Sequence, residues 1–317
     1  MTRHDVCNGD ADGLCALQQL RLAEPVAARL VTGRKREIAL LERVDAAAGD
    51  VVTVLDIALA ANRAALGRLL ERGARIAWYD HHHAGEVPSH PRLALHIDVR
   101  PDVCTSLIVD ATLRGAHRRW ALVGAYGDGL VAEADRLAAE HGLGEEARSA
   151  LRELGTDLNY NAYGDSDDDL IAHPARVQAL LRGQPDPLTL ADDGTLARIR
   201  ATRHADEALA RAQRVDPIGE RALACLLPGE PWARRIRGTL AHGLAQRYPE
   251  RGCAVLTPSA SGDYVVSVRA PLVARRGADA LCRRFPGGDG RAGAAGIDRL
   301  PRERLDEFIA ALRSAFA

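Results

Sequence analysis

An aspartate and three histidines in succession, Asp80-His81-His82-His83, close the apolar run Ile76-Ala77-Trp78-Tyr79. Carboxylate and neutral imidazole at the end of a strand-like run are ligands for a hard or borderline divalent cation such as Mn²⁺. Further acidic positions follow or adjoin comparable runs. Asp10 and Asp12 lie in Asn8-Gly9-Asp10-Ala11-Asp12-Gly13, Asp56 follows Val51-Val52-Thr53-Val54-Leu55, and Asp128 sits in Gly127-Asp128-Gly129. Several carboxylates in one cleft suit two metal ions, and such a pair activates water for attack on a phosphoester. The set therefore reads as that of a metal-dependent phosphoester hydrolase. Each motif alone also fits something plainer. A D-x-D-G segment suits a solvated turn or helix cap, Asp56 could cap a following helix, and Gly-Asp-Gly is ordinary turn chemistry. Against that, a carboxylate at the mouth of a buried strand is costly unless something pairs it. In Asp80-His81-His82 the aspartate can accept a hydrogen bond from an imidazole and fix its tautomer, leaving His81 for metal and His82 for a substrate phosphate.

These residues must be carried by elements that bring them together. Up to about residue 115, short apolar runs at residues 5–8, 29–32, 51–57, 75–79 and 93–97 alternate with helical patterns at 13–23 and 60–72. Such alternation indicates an α/β fold, a parallel sheet with helices on both faces. Ligands then collect beyond the carboxyl ends of the strands, where Asp10, Asp56 and Asp80 fall. Residues 104–182 read as mostly helical, clearest at 119–126, 130–141 and 145–154. The Pro- and Asp-rich stretch Gly183-Gln184-Pro185-Asp186-Pro187 marks a boundary.

An Arg- and Ala-rich helix at 196–214 follows. After Pro217 come a strand (221–227), a helix (231–248), a hairpin of 253–256 with 264–268, a helix at 277–285, a glycine-rich turn from Gly287 to Gly296, and a final amphipathic helix from Pro301. The expected organisation is a catalytic domain at 1–185, a helical linker at 186–216 and a smaller α/β domain at 217–317.

Length and a hydrophobic content of 47% allow a sizeable core, and two domains suit 317 residues better than one. The formal net charge of −1 conceals that Lys35 is the only lysine among 42 basic residues. Arginine grips phosphate through two hydrogen bonds, although an Ala-, Arg- and Gly-rich composition accounts for most of the arginines. Six scattered cysteines without a C-x-x-C pair suggest reduced thiols and a cytoplasmic protein. No apolar stretch approaches the roughly 18 residues needed to cross a bilayer, so no membrane partner is expected. Two other segments leave alternatives open. Leu158-Asn159-Tyr160-Asn161-Ala162-Tyr163-Gly164 suits base stacking and a buried, hydrogen-bonded turn equally, and Arg34-Lys35-Arg36 fits a solvated loop or a second phosphate subsite.

Taken in order, Asn8-Gly9-Asp10-Ala11-Asp12-Gly13, Leu55-Asp56, Asp80-His81-His82 and Gly124-Ala125-Tyr126-Gly127-Asp128 resemble the four motifs of the DHH phosphoesterase superfamily. That superfamily includes RecJ-type exonucleases, nanoRNases, cyclic-dinucleotide phosphodiesterases, exopolyphosphatases and family II inorganic pyrophosphatases. Ser267-Val268-Arg269, residues 278–285 and the glycine run resemble the DHH-associated C-terminal domain, so the likeness spans nearly the whole chain. It implies that Asp10 and Asp56 hold one metal and that Asp12, Asp56, His81 and Asp128 hold a second, with Asp56 bridging. The ions would be Mn²⁺, with Mg²⁺ or Co²⁺ as alternatives. It further implies that His82, Arg269 and Arg291 neutralise charge on the phosphoryl group, that Ser267, Gly288 and Gly290 help bind substrate, and that Asp80 orients His82 in a site between the domains.

The chain departs from the pattern twice. Val6 stands where members often have a histidine; Asn8 could compensate, whereas His4, about 7 Å further along the strand, reaches poorly. Arg291 stands where the G-G-G-H motif has its histidine.

The expected function is hydrolysis of short oligonucleotides or linear or cyclic dinucleotides, because a nearly neutral chain lacks the basic track of a long-DNA exonuclease. The alternatives are a pyrophosphate or polyphosphate hydrolase and a nucleotide-binding module with weakened turnover. The expected partners are small phosphorylated substrates, with a homodimer left open.

Overall fold

The computed structural model describes residues 1–316, which separate into two compact units, Met1–Ala201 and a second that begins at Thr202. In the first unit, β1 (Arg3–Asn8), α1 (Ala11–Ala23), β2 (Arg29–Gly33), β3 (Val51–Leu55), α2 (Arg63–Glu71), β4 (Arg75–Asp80) and β5 (Leu93–Ile97) build the sheet and its first helices. The strand order is β2-β1-β3-β4-β5, and every neighbouring pair is parallel. Alternation of strand and helix left little choice, since a parallel connection needs a crossover and the crossover helices bury the sheet.

The chain first moves from β1 outward to β2, then returns past β1 to lay down β3 on its other side. This reversal makes the gap between β1 and β3 the switch point of the sheet, where a crevice opens beyond the strand ends. Asp10 and Asp12 leave one side of it and Asp56 the other.

Two cores flank the sheet. On one face α1 packs with α3 (Thr105–Thr112), α4 (Arg118–Gly127) and α6 (Glu145–Asn161) around Leu14, Leu17, Trp120, Leu122 and Leu158. On the other, Val6, Leu40, Leu41, Val52, Val54, Leu66 and Trp78 form a separate cluster with α2. The residues of α1 from Ala11 to Gln19 are all buried, among them the polar Asp12, Gln18 and Gln19, so this helix is enclosed on nearly every side between sheet and helices. Between α4 and α6 lies α5 (Val131–Glu140); α7 (Pro174–Leu181) packs near β2, and α8 (Thr195–Arg211) carries the chain from the first unit into the second.

The second unit contains β6 (Asp216–Pro217), β7 (Ala222–Leu226), α9 (Pro231–Arg247), β8 (Gly252–Pro258), β9 (Tyr264–Arg269), α10 (Ala278–Cys282), β10 (Gly288–Arg291), β11 (Ala294–Leu300) and α11 (Leu305–Ala315). Its six strands run in the order β10-β11-β9-β8-β7-β6, mixed in direction because only β7 and β8 are parallel, joined through α9. Phe285, Phe308, Leu312 and Phe316 cover one face of this sheet.

The glycine-rich stretch expected as a turn is instead a β-hairpin. Gly288 pairs with Ile297 and Arg291 with Ala294, so only Ala292 and Gly293 make the turn. Glycine is poor in isolated strands, which hid the hairpin; here packing demands it. A Cβ on Gly288 would lie 1.9 Å from the Cys282 carbonyl oxygen, and one on Gly290, whose φ is +143°, would lie 2.4 Å from the Ala295 Cα.

Candidate metal centre

Asp10 follows β1 and caps α1, its Oδ1 accepting from Gly13 N at 3.1 Å. Asp12, in the first turn of α1, reaches across to the start of α3, where Thr105 N donates to its Oδ2 at 2.8 Å and Ser106 N to its Oδ1 at 2.6 Å. Two backbone donors at a helix N-terminus lock the direction of the carboxylate. Ser106 Oγ also donates to the Asp12 carbonyl at 2.8 Å. The segment Cys104-Thr105-Ser106 thus orients Asp12, and nothing in its residue types announced that role.

Asp56 directly follows β3 with φ +56°. A residue other than glycine in the left-handed region costs on the order of 1–3 kcal/mol and is kept where its surroundings over-determine it. Here Asp56 N donates to the Tyr79 carbonyl at 3.0 Å, and Thr105 Oγ1 donates to Asp56 Oδ1 at 3.3 Å. Burial pushes the Asp56 carboxyl well above its ordinary range, and the charges of Asp10, Asp12 and Asp128 push in the same direction. Asp128 follows the last turn of α4, and burial followed by the charge of Asp12 pushes it up to about 6. A carboxylate at a helix carboxyl end also opposes the macrodipole. Four acids crowded in this way call for a compensating cation.

His81 supplies the imidazole. Its Nδ1 lies 3.1 Å from the Val103 carbonyl, which only an N–H can satisfy, and this turns Nε2 toward Asp56 Oδ1 at 3.4 Å and Asp128 Oδ2 at 3.9 Å. Ligand atoms of Asp12, His81 and Asp128 lie within 4.8 Å of one another, as do those of Asp56, His81 and His82. The donor set of three carboxylates and one imidazole suits Mn²⁺. His82 is committed differently. Its Nδ1 is 2.7 Å from Asp80 Oδ1, and its backbone N donates to the same oxygen at 3.2 Å. Burial pulls the His82 imidazole down, but the hydrogen bond and charge of Asp80 outweigh it and leave it above its ordinary value. Asp80 itself is wholly buried at the end of β4, with its Oδ2 lacking a protein partner.

Lys35 enters this centre. Its Nζ is 2.5 Å from Asp10 Oδ2, 3.0 Å from Asn159 Oδ1 and 3.9 Å from Asp128 Oδ1, and it lies 5.7 Å from the centre of the Tyr163 ring. Burial alone would push the ammonium down, yet the charge of Asp10 carries it well above its ordinary value. Asp10 is correspondingly held below the usual carboxylate range, burial being outweighed by Lys35. The segment around Asn159 therefore serves as a buttress: Asn161 exchanges hydrogen bonds with Ala172 N and O at 2.9 and 2.7 Å, and Tyr160 is buried. Arg34, next to Lys35, bonds Asp167 at 3.0 Å. The one usable signal for Lys35 was compositional, a single lysine in a chain that otherwise uses arginine.

The other candidate residues lie in the second unit. Arg269 on β9 is opposite Ala294 on β11, which is opposite Arg291 on β10. Directly paired residues share a sheet face, so the two arginines stand in one row, about 10 Å apart across two strand spacings. Ser267, paired with Gly296, is on the same face and buried. The missing Cβ atoms of Gly288 and Gly290 answer to Cys282 and Ala295.

No family model matches the chain, and no curated protein does. Solved structures do. A manganese-bound exonuclease RecJ superposes with a TM-score of 0.65 at 19% identity, covering 99% of this chain and 90% of that one. The Mn²⁺ complex of RecJ from Thermus thermophilus gives 0.59 at 20% identity, covering 99% and 52%. The pGpG-specific phosphodiesterase PggH from Vibrio cholerae gives 0.62 at 15% identity, covering 100% and 99%. The chain shares the fold of these structures across nearly its full length, an N-terminal parallel sheet followed by a mixed six-stranded sheet. Among the described residues, no helix is long and apolar enough to cross a membrane.

Proposed function

We propose that the chain is a Mn²⁺-dependent phosphodiesterase acting on short oligonucleotides or on linear or cyclic dinucleotides. The observation that supports this reading is that Asp12, His81 and Asp128 present ligand atoms within 4.8 Å of one another beyond the strand ends, with Asp56 Oδ1 3.4 Å from His81 Nε2. A divalent ion held by these four residues supplies Lewis acidity and lowers the pKa of water near a phosphoryl group. The fold likeness to two manganese-bound RecJ structures favours that metal, and the likeness to a pGpG-specific phosphodiesterase favours a dinucleotide-sized substrate. A net charge of −1 also suits short substrates better than long duplexes.

The chain's own groups then have distinct tasks. Asp80 holds His82 through Nδ1, so that Nε2 can donate to a phosphoryl oxygen as charge builds there. Lys35 adds a fixed positive charge on the Asp10 side. In the second unit, Arg269 and Arg291, with Ser267 beside them and Gly288 and Gly290 shaping the hairpin, are assigned to the remaining phosphate.

The test is a panel of dinucleotides, cyclic dinucleotides, mononucleotides and polyphosphate incubated with Mn²⁺ and resolved by chromatography. Mononucleotide release from dinucleotides is expected. Release of inorganic phosphate from polyphosphate alone would replace this reading with the phosphoanhydride one, and tight nucleotide binding without product would replace it with a binding module.

A further inference from the structure

We propose that the centre takes one divalent cation rather than two, and that the Lys35 ammonium permanently fills the position of the other. This rests on the metal-dependent reading above but concerns how many ions the site admits. Resemblance of the motifs leads to a pair of ions sharing Asp56. The two halves of the centre are built differently.

On one half, Asp12, His81 and Asp128 present ligand atoms within 4.8 Å of one another, and His81 is within 3.4 Å of Asp56. On the other half, Asp10 Oδ2 already faces a cation, Lys35 Nζ at 2.5 Å, whereas the Asp12 carboxylate accepts only from the neutral amides of Thr105 and Ser106. An ion bound to that Oδ2 would need the space the nitrogen holds, since Mn²⁺ and an ammonium both sit within a few ångströms of the oxygen they share. Asp10 also belongs to neither of the ligand groupings found among the described residues.

The ammonium is held there from several sides. Asn159 Oδ1 accepts a second of its protons at 3.0 Å, the Tyr163 ring lies 5.7 Å away, and Asp128 Oδ1 is at 3.9 Å. The Lys35 backbone is pinned too, its N donating to the Ala162 carbonyl at 3.0 Å and its carbonyl accepting from Asn8 Nδ2 at 3.4 Å. A lysine that merely drifted toward an acid would need none of this.

Two sequence facts then fall into place. Position 6 is a fully buried valine packed with Leu40, Leu41, Val52 and Val54, so it supplies no imidazole to an ion beside Asp10. A chain that uses arginine almost everywhere keeps its single lysine at this point. A guanidinium is a wide planar fork, whereas an ammonium is a compact point charge, the shape that can stand in for a monatomic cation.

The test counts ions. Metal-free protein is titrated with Mn²⁺ by calorimetry, bound manganese is measured after gel filtration, and electron paramagnetic resonance spectra are taken on the same samples. One ion per chain with the spectrum of an isolated Mn²⁺ is expected. Two ions per chain with an exchange-coupled spectrum would overturn the inference and leave the proposed hydrolysis standing. One ion without hydrolysis of any substrate in the panel would do the reverse. Lys35→Ala, which unpairs Asp10, is expected to admit a second, weaker ion at higher Mn²⁺. A folded Lys35→Ala protein that still bound one ion at every concentration would take the ammonium out of the account. If that variant does not fold, the wild-type count decides alone.

Discussion

The parallel sheet of the first unit and the mixed sheet of the second position their candidate residues by opposite means. In the parallel sheet every strand ends at the same edge, so Asp10, Asp56 and Asp80, far apart in the chain, leave neighbouring strands at one rim. Backbone groups then fix the side chains around that rim: Gly13 N holds Asp10, the amides of Thr105 and Ser106 hold Asp12, and the Val103 carbonyl holds His81. In the mixed sheet, Arg269 and Arg291 are brought together sideways, by register across an intervening strand. Convergence at strand ends makes a tight cluster of the size a small cation needs; a row across strands spreads its charges more widely, as the proposed contact with phosphate requires. Disrupting the first should abolish turnover, and disrupting the second should weaken binding.

The sharpest way to break that contrast is to remove a ligand. Asp56→Asn and His81→Ala should each lower kcat/KM by on the order of 10³-fold, the several kcal/mol of charge stabilisation a bound ion supplies. Mn²⁺ titration of the same variants should show weakened binding; full activity in either would end the metal reading. Next in size is His82→Ala, with a fall of about 10²-fold expected mainly in kcat, as befits a group acting on the reacting phosphoryl oxygen. An unchanged kcat would return His82 to a purely structural role beside Asp80.

On the second unit, Arg269→Ala and Arg291→Ala should each raise KM by about tenfold with kcat little changed, the loss of one charge-assisted contact. A loss of kcat as large as that of the metal ligands would erase the contrast between the sheets. The smallest effect is on pH-dependent stability. Asp128 is pushed up to about 6, above its ordinary 3.8, so the metal-free folded protein binds this proton more tightly than the unfolded chain. Its stabilising contribution is present below the ordinary value and is lost as pH rises through the folded one. Mn²⁺ competes for the same carboxylate, so the melting-temperature gain from added Mn²⁺ should grow by a few degrees from about pH 5 to about pH 7. A gain independent of pH would mean that Asp128 does not titrate with the ion.

Much of the first unit could be read in advance because parallel sheets obey strong rules. Apolar runs alternating with helical patterns imply crossovers, crossovers imply parallel strands, and parallel strands gather their carboxyl ends. That chain of reasoning placed Asp10, Asp56 and Asp80 at one edge without coordinates, whereas the roles expected of Asp12, His81 and Asp128 came from the resemblance of their motifs. The glycine segment was harder. Gly288 and Gly290 have local preferences that point to a loop, and only the nearness of Cys282 and Ala295 makes glycine the residue a strand requires there. Tyr160 and Asn161 were ambiguous because a polar aromatic pattern fits a ligand platform and a buried buttress alike, and the choice lay with Ala172, eleven positions away.

By itself the sequence determined the ligand types, their places at the ends of apolar runs and the parallel order that unites them, because periodicity and turn chemistry act over a few residues. Tertiary structure alone decided which groups balance those charges. Lys35 meets Asp10 across 25 positions and Asn159 across 124, and such contacts exist only where folding brings distant segments to one point. No local pattern of residues records that meeting.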